Sequence, residues 1–144
     1  MLVKADMSAL LLEENNFECR VSSVLNKNVQ SFGKKYMFDH CCETCWNSDA
    51  GSPQWVLIDF KDECNLSHFE IEFQGGFAGK NCHIEAGNNK KELTIVESFF
   101  PKDNNDLQQF NLKNQITAKV FKFIFNESTD LFGRIVIYHL KLYS

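Results

Sequence analysis

Little in this chain would interrupt a sheet. Its 144 residues include only two prolines and seven glycines, which sets aside collagen-like and low-complexity classes. No apolar run approaches the roughly 18 residues of a membrane-spanning helix, so no membrane is expected. A basic stripe is also missing. The net charge is −4, and the longest cationic runs are the pairs Lys34-Lys35 and Lys90-Lys91. Direct nucleic-acid binding begins with neutralising phosphates, and none is expected here. No G-x-S-x-G elbow, phosphate-binding P-loop or G-x-G-x-x-G turn occurs. The reading is therefore non-enzymatic.

A secretory start is absent from the reading as well. MLVKADMSALLLEENN has one short apolar patch, interrupted by Asp6 and Ser8 and closed by Glu13-Glu14. It has no small-residue cleavage site. The expectation is a soluble, intracellular chain whose six cysteines stay reduced. The sequons at Asn65 and Asn126 are then silent.

What the chain does have is phenylalanine, 14 of them, and alternation. In HFEIEFQ (68–74), Phe69, Ile71 and Phe73 face one way and the polar residues the other. This is the period of a half-buried strand. KVFKFIFNE (119–127) repeats it through Phe121, Phe123 and Phe125. WVLIDF (55–60) is nearly continuous in apolar character, as a central strand is. VSSVL (21–25), CHIEAG (82–87), ELTIVESFF (92–100) and RIVIYHLKLY (134–143) complete the strands, with Gly75-Gly76, Gly87-Asn88-Asn89 and Pro101 as breaks. Short strands at this spacing point to an all-β sandwich of jelly-roll type. The expected organisation is an N-terminal arm over residues 1–18, with a short helix in ALLLEE capped by Ser8, and one domain over 19–144. A chain of this length buries about 68–70% of its unfolded surface without staples.

The candidate chemistry is thin. His40-Cys41-Cys42-Glu43-Thr44-Cys45 contains one C-x-x-C pair. Zinc wants four ligands, usually as two pairs, and a redox pair wants a βαβ setting. Neither is present, so Cys41, Cys42 and Cys45 read as loop thiols. Glu70 and Glu72 share one strand face and read as solvated. Phe77, flanked by glycines in QGGFAGK, is either an exposed anchor or a ring folded over the sandwich end. Phe99-Phe100 and Leu131-Phe132 pose the same choice.

Phe38-Asp39, Thr44, Trp46, Ser48, Gln54-Trp55-Val56 and Asp59-Phe60, with Ser22-Ser23 upstream, resemble the opening of the discoidin, or coagulation-factor C-type, domain. The resemblance covers the motif D-x-x-x-x-T-x-W-x-S followed by Q-W-[IV]. It implies a galactose-binding-like β-sandwich in which Asp39, Thr44, Trp46 and Trp55 are structural. Trp46 would pack at the sandwich end and Trp55 would open a core strand. Many relatives place calcium beside the motif aspartate, which makes Asp39 and Thr44 calcium candidates. The acidic last-strand partner, however, is replaced by His139, a poor ligand for a hard cation. No cofactor is otherwise expected.

RVSSVLNKN, FGKKYMFD, ETCWNSDAGSPQWV, FQGGF, FFPKDNNDLQ and FGRIVIYHL carry a closer resemblance, to the small nuclear receptor-associated proteins. That resemblance implies a protein-interaction module in the nucleus, with some presence in the cytoplasm. Its partner would be an orphan nuclear receptor like testicular receptor 4, repressed by being kept off its DNA. The alternative is a lectin-like binder of carbohydrate or lipid head groups. The candidate binding loops carry Lys27, Asn28, Phe77, Lys80, Asp103 and Asn104.

Overall fold

A computed structural model describes residues 10–144; the expected cap at Ser8 lies outside them. The elements are α1 (Leu11–Glu14), β1 (Phe17–Val21), α2 (Val29–Phe32), β2 (Trp46–Asn47), β3 (Gln54–Phe73), β4 (Gly79–Gly87), β5 (Thr94–Phe99), β6 (Leu107–Ser128) and β7 (Val136–Tyr143). Two short 3₁₀ turns, Leu25–Lys27 and Lys34–Met37, flank α2.

The architecture follows from two long strands. β3 has 20 residues and β6 has 22. A straight 20-residue strand would span about 65 Å. A domain of this size has a radius of gyration of about 15 Å, so both strands must bend. β3 does so at register shifts between Asp59 and Cys64 and between Leu66 and His68, with Lys61, Asp62 and Glu63 exposed at the corner. Bulges of this kind turn a strand from one layer into the next. Residues 54–60 of β3 pair with β1 and with the second half of β6, which continues to β4 and then β5. Residues 68–73 pair with β7 and with the first half of β6, and β7 carries β2. All these pairings are antiparallel. The result is a five-stranded layer facing a four-stranded one, with β3 and β6 in both. The expected all-β jelly-roll sandwich is what forms.

The alternating residues meet in the middle. Phe60, Phe69, Phe73, Phe121, Phe123 and Phe125 are fully buried, beside Ile58, Ile71, Ile84 and Leu66. Phe69 is the hub. Its ring centroid lies 5.0 Å from Phe99, 5.1 Å from Phe110 and 5.1 Å from Phe123. These are favourable tilted and offset geometries, and each buried Phe contributes about 1.5–3 kcal/mol by transfer alone.

Three expectations need correcting. The first strand is FECRV rather than VSSVL. It starts at Phe17, inside the expected arm, because Cys19 packs into the core while Ser22 and Ser23 are drawn off to bond Gln54. WVLIDF and HFEIEFQ are one bent strand. Finally, residues 109–118, which carried no assignment, belong to the first half of β6.

Candidate functional site

Because β3 and β6 double back, the ends Gln54, Phe73, Leu107 and Ser128 all lie at one end of the sandwich, with the starts of β4 and β7. The loops 48–53, 74–78, 100–106 and 129–135 are therefore brought together there.

Polar contacts hold these loops. Gln54 is buried and fully occupied. Its Oε1 accepts from Ser22 Oγ at 2.5 Å and Ser23 Oγ at 2.7 Å. Its Nε2 donates to the carbonyls of Asp49 at 3.1 Å and Gly51 at 2.8 Å. The Ile135 amide donates to Ser48 Oγ at 2.8 Å, and the Ser48 amide donates to the Ile135 carbonyl at 2.8 Å. The Gly51 amide donates to the Phe132 carbonyl at 2.7 Å. Gly133 sits at φ +88, and a Cβ there would come within 2.7 Å of the Gly51 carbonyl oxygen. Only glycine fits both the conformation and the approach.

A second group forms around Phe77. Asp103 Oδ1 accepts from the Gly76 amide at 2.8 Å and from Thr129 Oγ1 at 3.2 Å. Asn105 Oδ1 accepts from the Gly75 amide at 2.7 Å. Arg134 lies 5.2 Å above the Phe77 ring and donates through Nε to Asp130 Oδ2 at 3.1 Å. Desolvation pushes the Asp130 carboxyl up, but the Arg134 bonds and charge outweigh it and hold the group below the usual carboxylate range. Phe77 is thus folded back and half-buried, with one ring face taken by its own chain. Phe99 is buried, whereas Phe100, Leu131 and Phe132 are exposed at 70%, 90% and 64%. With Leu107, 43% exposed at the start of β6, these three are large apolar residues that this end offers to solvent.

The other candidates do not join this group. Lys27 ends an exposed 3₁₀ turn. Asn28 Oδ1 accepts from the Ser31 amide at 3.2 Å and so caps α2. Lys80 is exposed on β4 opposite Glu127. Asn104 Oδ1 accepts from the Asp106 amide at 3.0 Å and from Gln108 Nε2 at the start of β6 at 3.3 Å. Among the described residues, no hydrogen bond, ion pair or ring contact links Lys27, Asn28 or Lys80 to Phe77.

The motif residues divide. Trp46 is fully buried and its Nε1 donates to the Ser23 carbonyl at 2.9 Å. Trp55 is not a core residue. It lies half-exposed on the outer face of its strand, with Lys122 Nζ 4.6 Å over its ring. Strand alternation explains this: Val56 and Ile58 take the inward positions.

The calcium candidates fit poorly. Asp39 Oδ2 accepts from Thr44 Oγ1 at 2.5 Å and Oδ1 from the Cys41 amide at 3.0 Å. Both carboxylate oxygens serve the loop. Desolvation raises the Asp39 carboxyl, but these bonds together, with the charge of His139, outweigh it and hold the group below the usual carboxylate range. His139 Nδ1 turns instead to Glu72 Oε1 at 2.9 Å. Glu70 likewise accepts from Tyr143 Oη at 2.6 Å, so neither glutamate is merely solvated. Among the described residues, no group of three or more His, Cys, Asp or Glu is placed to hold a metal ion.

The pattern matches a known one. A family model described as a NedA-like, galactose-binding domain covers residues 26–123. The chain is 46% identical over 128 residues to the nuclear receptor 2C2-associated protein of Danio rerio, spanning 89% of this chain and 91% of that one. It is 45% identical over 123 residues to the Homo sapiens protein of the same name, spanning 85% and 88%. This chain belongs to the nuclear receptor 2C2-associated protein family, within the galactose-binding-like domains. Solved structures agree on the fold. An F5/8 type C domain from Bacteroides fragilis superposes with a TM-score of 0.80 at 13% identity, covering 95% of this chain and 96% of that one. The family 32 carbohydrate-binding module of C. perfringens NanJ, in complex with galactose, gives 0.74 at 18%, covering 89% and 93%.

Arg134, Thr129 and Asn105 were not among the residues singled out. Arg134 reaches Phe77, Asn105 the Gly75 amide and Thr129 the Ala78 amide, from 30 to 57 residues away along the chain, and nothing in local spacing marks such a contact.

Proposed function

We propose that this chain is a non-enzymatic interaction module that binds an orphan nuclear receptor of the 2C2 type, like testicular receptor 4, in the nucleus and with some presence in the cytoplasm. Binding represses receptor-driven transcription by keeping the receptor off its DNA element. The observation that carries this reading is the 45–47% identity to nuclear receptor 2C2-associated proteins over 85–89% of the chain. Charge supports it too. A module of net charge −4 complements the basic surface with which a receptor meets DNA. The contact surface would be the loop end, where Phe100, Leu131 and Phe132 are exposed on a scaffold already rigid before binding.

A gel shift tests it. The receptor is held on its labelled element while this protein is titrated in, with a lane of this protein and DNA alone. Loss of the receptor–DNA band without a shift by this protein supports masking, and an unchanged band removes it. The lectin-like alternative has less behind it, since Arg134 covers one face of the Phe77 ring that would stack on a sugar. A glycan screen with a clear, saturable hit would reverse that order.

A further inference from the structure

On the flank of the sandwich, beside Gln54 and Ser23, α2 and the turn after it stand off from β1 and leave an open groove of about 730 Å³. Its floor is apolar: Val21, Val24 and Val29, with Val29 60% exposed. Trp55 forms one wall. Arg20, Lys34 and Lys35 form the rim, and Lys122 closes over the Trp55 ring. Among the described residues, none of these four cations has a carboxylate within ion-pair distance. All but Lys122 are exposed.

This is unusual for a chain with 19 acidic and 15 basic side chains. Four cations without an ion-pair partner gather around a half-buried aromatic, on a molecule that is negative overall. Like charges set this close repel, and an anion relieves them. The groove volume falls within the range of built ligand sites, about 300–1,000 Å³. The aliphatic floor gains only if something apolar covers it. The occupant must therefore be both anionic and apolar.

We propose that this groove docks an acidic peptide segment carrying a bulky apolar side chain. The apolar side chain sits on Val24 and Val29 beside Trp55, and flanking carboxylates meet Arg20, Lys34 and Lys35. A single-stranded nucleic acid suits the groove less well. Such sites use successive aromatic platforms along a basic track, whereas here Trp55 is the one ring lining the groove and one of its faces holds Lys122. The inference does not depend on which receptor the chain binds, nor on the loop end.

The test uses the full chain and a labelled synthetic peptide that alternates Asp or Glu with Leu and Phe. Binding is read by anisotropy and by Trp fluorescence. Trp46 is fully buried, so an emission shift on binding reports Trp55. Expected results are saturable binding at low salt, weakening as salt rises, and an emission shift that is lost in Trp55→Phe. The double variant Lys34→Glu/Lys35→Glu changes only exposed side chains, so its thermal midpoint stays put while affinity falls about tenfold or more. A peptide with Asn and Gln in place of the acids binds at least as weakly. No binding of the acidic peptide, an affinity unmoved by the charge reversal, or tighter binding of a single-stranded oligonucleotide would each overturn the proposal.

Discussion

Trp46 reaches back across 23 residues to donate its indole N–H to the Ser23 carbonyl at 2.9 Å, with no part of its side chain exposed. That contact, with the Asp49 amide donating to Ser23 Oγ at 2.9 Å, closes the long segment between β1 and β2. Removing the ring would leave a large cavity and take the indole donor from the part-buried Ser23 carbonyl. Trp46→Ala is expected to cost about 3–5 kcal/mol, and Trp55→Ala much less, because Trp55 is half-exposed. Urea midpoints of the two variants should differ in that order.

Gln54 is expected to be intolerant of change despite being polar. Its side chain answers two serine hydroxyls and two loop carbonyls. Gln54→Leu keeps the volume but removes the partner of four part-buried groups, at a total cost of about 1–3 kcal/mol, since the carbonyl of the exposed Gly51 can turn to water. Thermal unfolding would show the loss, and amide exchange would show it first in residues 48–53.

Acid should loosen the loops before the core. Asp39 and Asp130 both have carboxyls held below the usual range. A depressed folded value contributes stability above the unfolded value, about 3.9. That contribution is lost as pH falls through the lower folded value. Both groups are near the surface, so the effect is modest. Asp39→Asn with Asp130→Asn should flatten the acid limb of a stability–pH curve and leave the neutral value only slightly lower.

The thiols should react in two classes. Burial pushes Cys19 and Cys82 up to about 12, and a thiol that stays protonated is a poor nucleophile. Cys42 is exposed, and Cys41 and Cys45 are half-exposed. A disulfide reagent should titrate Cys42 first and leave Cys19 and Cys82 untouched until denaturant is added.

At the loop end, Leu131→Ser with Phe132→Ser removes two exposed apolar side chains. Stability should stay within about 0.5 kcal/mol, while the protein needed to clear the receptor–DNA band should rise severalfold. Equal potency in the gel shift would place the contact elsewhere.

Much of this was readable in advance, for a physical reason. Phe69, Ile71 and Phe73, like Phe121, Phe123 and Phe125, alternate because one sheet face is dry, so their strands and their inward direction could be seen directly. The first half of β6 could not. Gln109, Asn111 and Lys113 are polar, and Phe110 and Leu112 are only half-buried, so the stretch reads as a loop until β3 pairs with it. The bend in β3 was hidden because Lys61, Asp62 and Glu63 look like a turn and are in fact a corner. Trp55 misled through residue type, since a tryptophan suggests a core while its parity in the strand points outward. The contact of Arg134 with Phe77 depends on two loops meeting, which only the folded chain determines.

The two bent strands have a mechanical consequence. Because β3 and β6 each cross from one layer to the other, neither layer can peel away without tearing two strands at their corners. The sandwich has no seam along which it could open. Partial unfolding should be confined to the outermost strands, and the remainder should melt in one step, however freely the loops at the far end are rewritten.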